Sequence, residues 1–121
     1  MPSETTPSSL DIRFTSEFKR NLRALEKRYR HIRSDIEPII EQLQAGDFIG
    51  DRIPRTGFSL YKVRVSNRDA QRGKSGGYRL IYYLKTSQNV ILITIYSKSE
   101  QADISTAEVR RIINEFEKSR K

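Results

Sequence analysis

The sequence predicts an α+β domain: a small, mostly antiparallel sheet with an N-terminal helical hairpin and a C-terminal helix, in the order β-αα-βββ-α. Three observations predict it. FSLYKVRV (58–65), YRLIYYL (78–84) and VILITIY (90–96) are runs of β-branched and aromatic residues bounded by turn-formers, as strands are. Phe18, Leu22, Leu25, Tyr29, Ile32, Ile36, Ile39 and Leu43 repeat with a 4,3 spacing, one face of helical structure. Val109, Ile112, Ile113 and Phe116 do the same near the C-terminus.

Residues 1–9, MPSETTPSS, are small and polar, and they predict an untethered tail before a single domain at 10–121. Leu10, Ile12 and Phe14 alternate with Asp11 and Arg13 as a short strand that joins the main sheet. Thr15 or Ser16 is placed to cap the first helix, with Glu17 in its first turn, where the macrodipole favours a carboxylate. The apolar stripe fits one long helix or two helices folded back on each other. Pro38 decides for two, because inside a continuous helix it would cost about 3 kcal/mol. A break between Arg30 and Asp35 puts Pro38 in or next to the first turn of the second helix, where the lost donor matters little. That helix ends near Ala45 with Gly46 as its stop, and residues 47–57 form a loop into the sheet. The polar turn at 85–89 is short enough to pair the last two strands as a hairpin. Ser105 and Glu108 have capping-box spacing at the start of the final helix. The helices are expected on one face of the sheet.

A chain of 121 residues that is 36% hydrophobic can bury one economical core. It has no cysteine, which excludes disulfides and thiolate zinc sites, and a reducing cytoplasm fits best. No stretch approaches the roughly 20 apolar residues of a membrane span. Lys and Arg number 23 against 15 Asp and Glu, a net charge of +8, which favours a polyanionic partner such as nucleic acid or an acidic protein surface.

The chemistry-bearing residues are few in kind. His31 is the one histidine and falls at the break between the first two helices, so histidine acid/base pairs are excluded. No Asp or Glu pair has a metal-ligand spacing, and neither a metal nor a cofactor is expected. The loop with Gly73, Gly76 and Gly77 lacks the Gly-Lys-Ser/Thr ending of a P-loop. What remains is cations and phenols. Strand alternation puts Lys62 and Arg64 opposite in direction to Tyr61, Val63 and Val65, and groups Arg79 with Ile81 and Tyr83. Taken singly, each cation reads as a solvated strand face. Together, with Lys98, they read as one phosphate-binding face. Guanidinium and ammonium groups stabilise the extra charge of a phosphorane-like transition state, and an RNA substrate brings its own 2′-hydroxyl as nucleophile. In the loop 66–77, Arg68, Arg72 and Lys74 outweigh Asp69, which suits backbone contact with RNA as well as it suits a plain solvated loop.

Tyr61-Lys62-Val63-Arg64-Val65, then Gly77-Tyr78-Arg79-Leu80-Ile81-Tyr82-Tyr83, then Ile93-Thr94-Ile95-Tyr96-Ser97-Lys98-Ser99-Glu100 resemble the sheet motifs of the RelE/ParE toxin superfamily. The basic, glycine-containing loop before Gly-Tyr-Arg and the ending Tyr-Ser-Lys-Ser-Glu-Gln-Ala-Asp are most similar to its HigB-type branch. The resemblance implies a toxin of a type II toxin–antitoxin system, an endoribonuclease that cleaves mRNA in the ribosomal decoding site and is held inactive by a cognate antitoxin protein. It also implies catalytic roles for Lys62, Arg64, Arg79 and Lys98 in binding the phosphate and stabilising the transition state, with proton transfer open to one of these basic groups. RNA contact then falls to Arg68, Arg72, Lys74 and Tyr96. The sequence departs from RelE where that toxin has a tyrosine after the last motif, because Ile104 stands here. Tyr96 is the alternative phenol, for base stacking or hydrogen bonding. Two other readings fit the same scaffold: a ParE-like inhibitor of DNA gyrase, and a non-catalytic binder of nucleic acid or ribosomes.

Overall fold

The computed structural model describes residues 10–67 and 77–119. Its elements are β1 (Asp11–Phe14), α1 (Ser16–Glu26), α2 (Ile32–Gln44), β2 (Asp51–Ile53), β3 (Leu60–Val65), β4 (Tyr78–Thr86), β5 (Asn89–Ser97) and α3 (Thr106–Ser119). The five strands form one sheet in the order β1-β5-β4-β3-β2. Only the β1–β5 pair is parallel. The expected α+β architecture and hairpin are therefore present, with one strand more than the sequence predicts.

That strand, β2, lies inside the segment expected as a loop. Asp51, Arg52 and Ile53 pair with Lys62, Tyr61 and Leu60 along the outer edge of β3. Three residues between Gly50 and Pro54 are too few to show an alternation. Gly50 explains the close approach: at φ +101 a Cβ there would lie 2.6 Å from the Lys62 carbonyl oxygen.

Thr15 starts α1 and ties it to the sheet. Its hydroxyl accepts from the Phe18 N–H at 2.9 Å and donates to the Ile93 carbonyl at 2.7 Å. The interhelical break comes earlier than the sequence predicts. The Asp35 N–H bonds the His31 carbonyl at 2.9 Å, so α2 begins at Ile32, which is fully buried. Pro38 consequently sits beyond the first turn of α2, on an exposed position, where water can reach the backbone that its missing donor leaves unpaired. At α3 half of the capping box forms: the Glu108 N–H donates to the Ser105 hydroxyl at 3.1 Å, while the Glu108 carboxylate pairs with Arg111.

The helices do not share one face. Phe18, Leu22 and Leu25 of α1 and Ile32, Ile36 and Leu43 of α2 pack on Val63, Val65, Tyr78, Leu80, Tyr82 and Leu92. Val109, Ile112 and Ile113 of α3 pack instead with Leu60, Ile81, Ile91 and Ile93. Leu80 and Ile81 are consecutive in β4 and so point to opposite faces, which places α3 across the sheet from the helical hairpin. The physical reason is legible in β5, where every residue from Val90 to Ser97 is buried, as a strand covered on both sides must be.

Candidate functional site

Register places the basic side chains. Arg64 of β3 lies directly opposite Arg79 of β4, and Arg79 lies opposite Tyr96 of β5. Lys62 is two residues from Arg64 on the same face, the α3 face. The row crosses the sheet at the end of β3 and β5, and at Tyr96 it joins the apolar cluster that α3 forms on that face. Like charges directly opposite one another destabilise a sheet, so Arg64 against Arg79 is a local cost. A bound anion would offset it.

Arg64 is exposed, and Arg79 is 8% exposed with its Nη1 donating to the Tyr78 carbonyl at 3.3 Å. Lys62 is half-buried and donates to Asp103 Oδ1 at 2.9 Å. Lys98 follows β5; its backbone N–H bonds the Gly77 carbonyl at 3.0 Å and its Nζ reaches the Ala102 carbonyl at 3.4 Å. Among the described residues no carboxylate pairs with Arg64 or Lys98. The structure thus brings Lys62, Arg64, Arg79 and Tyr96 together on one face, with Lys98 at its border. Arg68, Arg72 and Lys74 lie outside the described residues.

Tyr96 is 5% exposed and packs among the α3-side apolar residues, so its ring is not presented as a stacking platform. Its phenol hydrogen-bonds instead, donating to Asp103 Oδ1 at 3.3 Å. Burial, followed by the nearby Asp103 carboxylate, pushes this phenol up to about 12, with Arg79 acting in the opposite direction. The fold therefore favours the neutral phenol. Its contribution to stability is complete below pH 10, the ordinary tyrosine value, and is lost as pH rises from there to about 12. Urea titrations across that interval are expected to show a shallower loss of stability for Tyr96→Phe than for the native chain. Equal losses would place the alkaline sensitivity in other groups.

Asp103 is the participant that sequence reasoning missed. Its Oδ1 accepts from Lys62 Nζ, from the Tyr96 hydroxyl and from the Ile104 N–H at 2.8 Å. The Lys62 hydrogen bond, then that of the Ile104 N–H, holds its carboxyl below the usual carboxylate range. Asp103 closes the motif after β5, but no spacing could say that its side chain turns back to β3 while Glu100, three residues earlier, turns to Arg28 and Tyr29. Ile104 itself is half-buried against the α3-side core.

Two cavities flank the site. One of about 120 Å³ lies beneath the Lys62–Asp103 pair, among Ile53, Thr56, Leu60 and Ile81. The larger, about 380 Å³, opens between α1 and the segment before α3 and is lined by Glu17, Glu100 and Glu108. Each of these carboxylates is ion-paired with an arginine, Glu17 with Arg20, Glu100 with Arg28 and Glu108 with Arg111. The groove therefore offers no surplus positive charge, whereas the sheet face and its border carry Arg64 and Lys98 without a carboxylate partner among the described residues. Among the described residues no group of three or more His, Cys, Asp or Glu side chains is placed to hold a metal ion. No described helix is long and apolar enough to cross a membrane.

A family model described as the RelE toxin of the RelE/RelB toxin–antitoxin system matches residues 17–118. The chain belongs to the RelE toxin family. As a RelE-family toxin it is one member of a toxin–antitoxin pair, and the family implies an antitoxin as its partner. A solved structure of the E. coli toxin RelE in the free state, a mutant with two arginines changed to alanine, matches it with a TM-score of 0.54. That match has 17% sequence identity and covers 86% of this chain and 93% of the other. At this identity the likeness establishes a shared fold. The RelE-family scaffold is therefore what holds Lys62, Arg64, Arg79 and Tyr96 in one register-fixed row.

Proposed function

We propose that this RelE-family toxin is an endoribonuclease that cleaves mRNA on the ribosome, with the RNA 2′-hydroxyl as nucleophile and Lys62, Arg64, Arg79 and Lys98 as the groups that bind and stabilise the reacting phosphate. The observation that carries the reading is the cross-strand row. A sheet that sets two guanidinium groups opposite each other, with a lysine beside them, is arranged for an anion that spreads charge over several oxygens. These groups stand on hydrogen-bonded strands, so little reorganisation is needed when charge develops in the transition state. In this reading the toxin acts in the cytoplasm, Arg68, Arg72 and Lys74 meet RNA backbone, and the antitoxin inactivates it by covering the basic face with an acidic or amphipathic segment. The HigB-like ending of the last motif is compatible with the same chemistry.

Inducing the native chain in cells, while mapping mRNA 5′ ends and following plasmid supercoiling in the same cultures, tests the proposal. New 5′ ends inside translated codons, with supercoiling unchanged, are expected. Intact mRNA with altered supercoiling would replace the nuclease with a topoisomerase-binding toxin on the same scaffold.

A further inference from the structure

We propose that Asp103 is the general base of RNA cleavage, the group that takes the proton from the attacking 2′-hydroxyl. This rests on the ribonuclease reading and fills a vacancy in it. Guanidinium and protonated lysine groups have no acceptor site, so in the charged forms that stabilise the phosphate these cations do not deprotonate the nucleophile. Asp51 of β2 stands opposite Lys62 in the register, but among the described residues Asp103 is the carboxylate that hydrogen-bonds a cation of that face.

Its geometry suits the task. Every hydrogen bond described for the Asp103 carboxylate ends on Oδ1, from Lys62, Tyr96 and the Ile104 N–H, while its backbone carbonyl accepts from Gln101 Nε2 at 3.1 Å. Oδ2 keeps its acceptor capacity, on a side chain that is 64% exposed. One oxygen anchors the carboxylate and the other is open to substrate. The charged and titratable groups that face it are Lys62 from β3 and Tyr96 from β5, with Arg79 of β4 acting on Tyr96 from behind. Lys62 keeps the carboxylate ionised at neutral pH and hence ready to accept a proton. The same contact makes it a weaker base, which sets the expected contribution at about 10²-fold, the lower end for general base catalysis.

The step balances within the site. The 2′-oxygen forms a bond to phosphorus as its proton passes to Asp103, and the bond from phosphorus to the 5′-oxygen breaks. The leaving oxygen takes a proton from the Lys62 ammonium. Asp103 then returns its proton to Lys62 across their 2.9 Å contact, restoring the ion pair. The products are a 2′,3′-cyclic phosphate and a 5′-hydroxyl.

The test compares native chain, Asp103→Asn and Asp103→Glu in single-turnover cleavage of mRNA on programmed ribosomes. Binding is measured on the same complex with a 2′-deoxynucleotide at the cleavage position. Asp103→Asn is expected to cleave about 10²-fold more slowly, to bind the deoxy complex as well as or better than the native chain, and to be partly rescued in rate by Asp103→Glu. Its rate should also climb about tenfold per pH unit as hydroxide substitutes for the missing base, while the native rate stays flat across neutral pH. Near-native cleavage by Asp103→Asn would overturn the assignment. Parallel loss of cleavage and deoxy-complex binding would make Asp103 an anchor for Lys62 and not a base. A native chain that cleaves no mRNA would bring down the ribonuclease reading and this step with it, whereas an active native chain with an equally active Asn variant sinks the base alone.

Discussion

Arg79→Ala is expected to abolish growth inhibition and to slow mRNA cleavage by at least about 10²–10³-fold, the effect of removing one preorganised donor from a developing oxyanion. Arg79 stands at the centre of the row, opposite Arg64 on one side and Tyr96 on the other. It is also the most buried of the cations, and a guanidinium held at 8% exposure interacts with a phosphate across a lower effective dielectric than one in open water. The same burial makes a folding control necessary. Arg79→Lys keeps a positive charge at the position but loses the planar fork that can meet two phosphate oxygens at once, so its rate should fall between native and alanine. Single-turnover cleavage with thermal unfolding of each variant separates the effects. A folded Arg79→Ala protein that cleaves at the native rate would remove the row from the active site.

The second large effect is structural. Gly77→Ala should lower stability by roughly 3 kcal/mol, from overpacking combined with a strained backbone. Gly77 has φ +81, and a Cβ added to it would lie 2.4 Å from the Val65 carbonyl oxygen. The atom in the way is backbone, which cannot swing aside as a side-chain tip can. Gly77 also accepts the Lys98 N–H, so any shift moves the start of β4 and the end of β5 together. Cleavage should therefore fall further than the loss of folded protein explains, because Arg79 is two residues away. Urea unfolding and activity per folded molecule measure the two parts, and a Gly77→Ala protein of native stability would show that the β3–β4 connection can relax around the methyl group.

The sequence-level reading succeeds where a period carries the information. Strand alternation puts Lys62 with Arg64 on one side of β3 and Arg79 with Ile81 on one side of β4, but it cannot say that the two sides coincide; the pairing of Lys62 with Ile81 and of Arg64 with Arg79 makes them one face. The α1–α2 hairpin is legible from the apolar stripe and Pro38, although the break falls earlier, since burying Ile32 in α2 outweighs keeping Pro38 in the first turn. Where no period exists, reasoning stops. β2 is three residues between a glycine and a proline, and only its partner β3 makes it a strand. The placement of α3 across the sheet from α1 and α2 depends on which face of β4 and β5 remains uncovered, and a strand with apolar residues on both faces, such as β5, does not say which helix takes which face. Asp103 was hidden for a third reason. Its role depends on a turn between β5 and α3 that brings residue 103 back against residue 62, and tertiary proximity of that kind leaves no mark on either segment.

The cross-strand row also has a consequence for synthesis. Arg64, Arg79 and Tyr96 become neighbours only when β3, β4 and β5 are all paired, and β5 is the last strand to leave the ribosome. A nascent chain that carries every basic residue through β4 still lacks Tyr96, Lys98 and Asp103 and has no β5 to fix Arg79 from its second side. On the nuclease reading, a toxin directed at translating ribosomes is therefore harmless to the ribosome that is making it until β5 and the segment through Asp103 have emerged and paired. The antitoxin has until that moment to meet it.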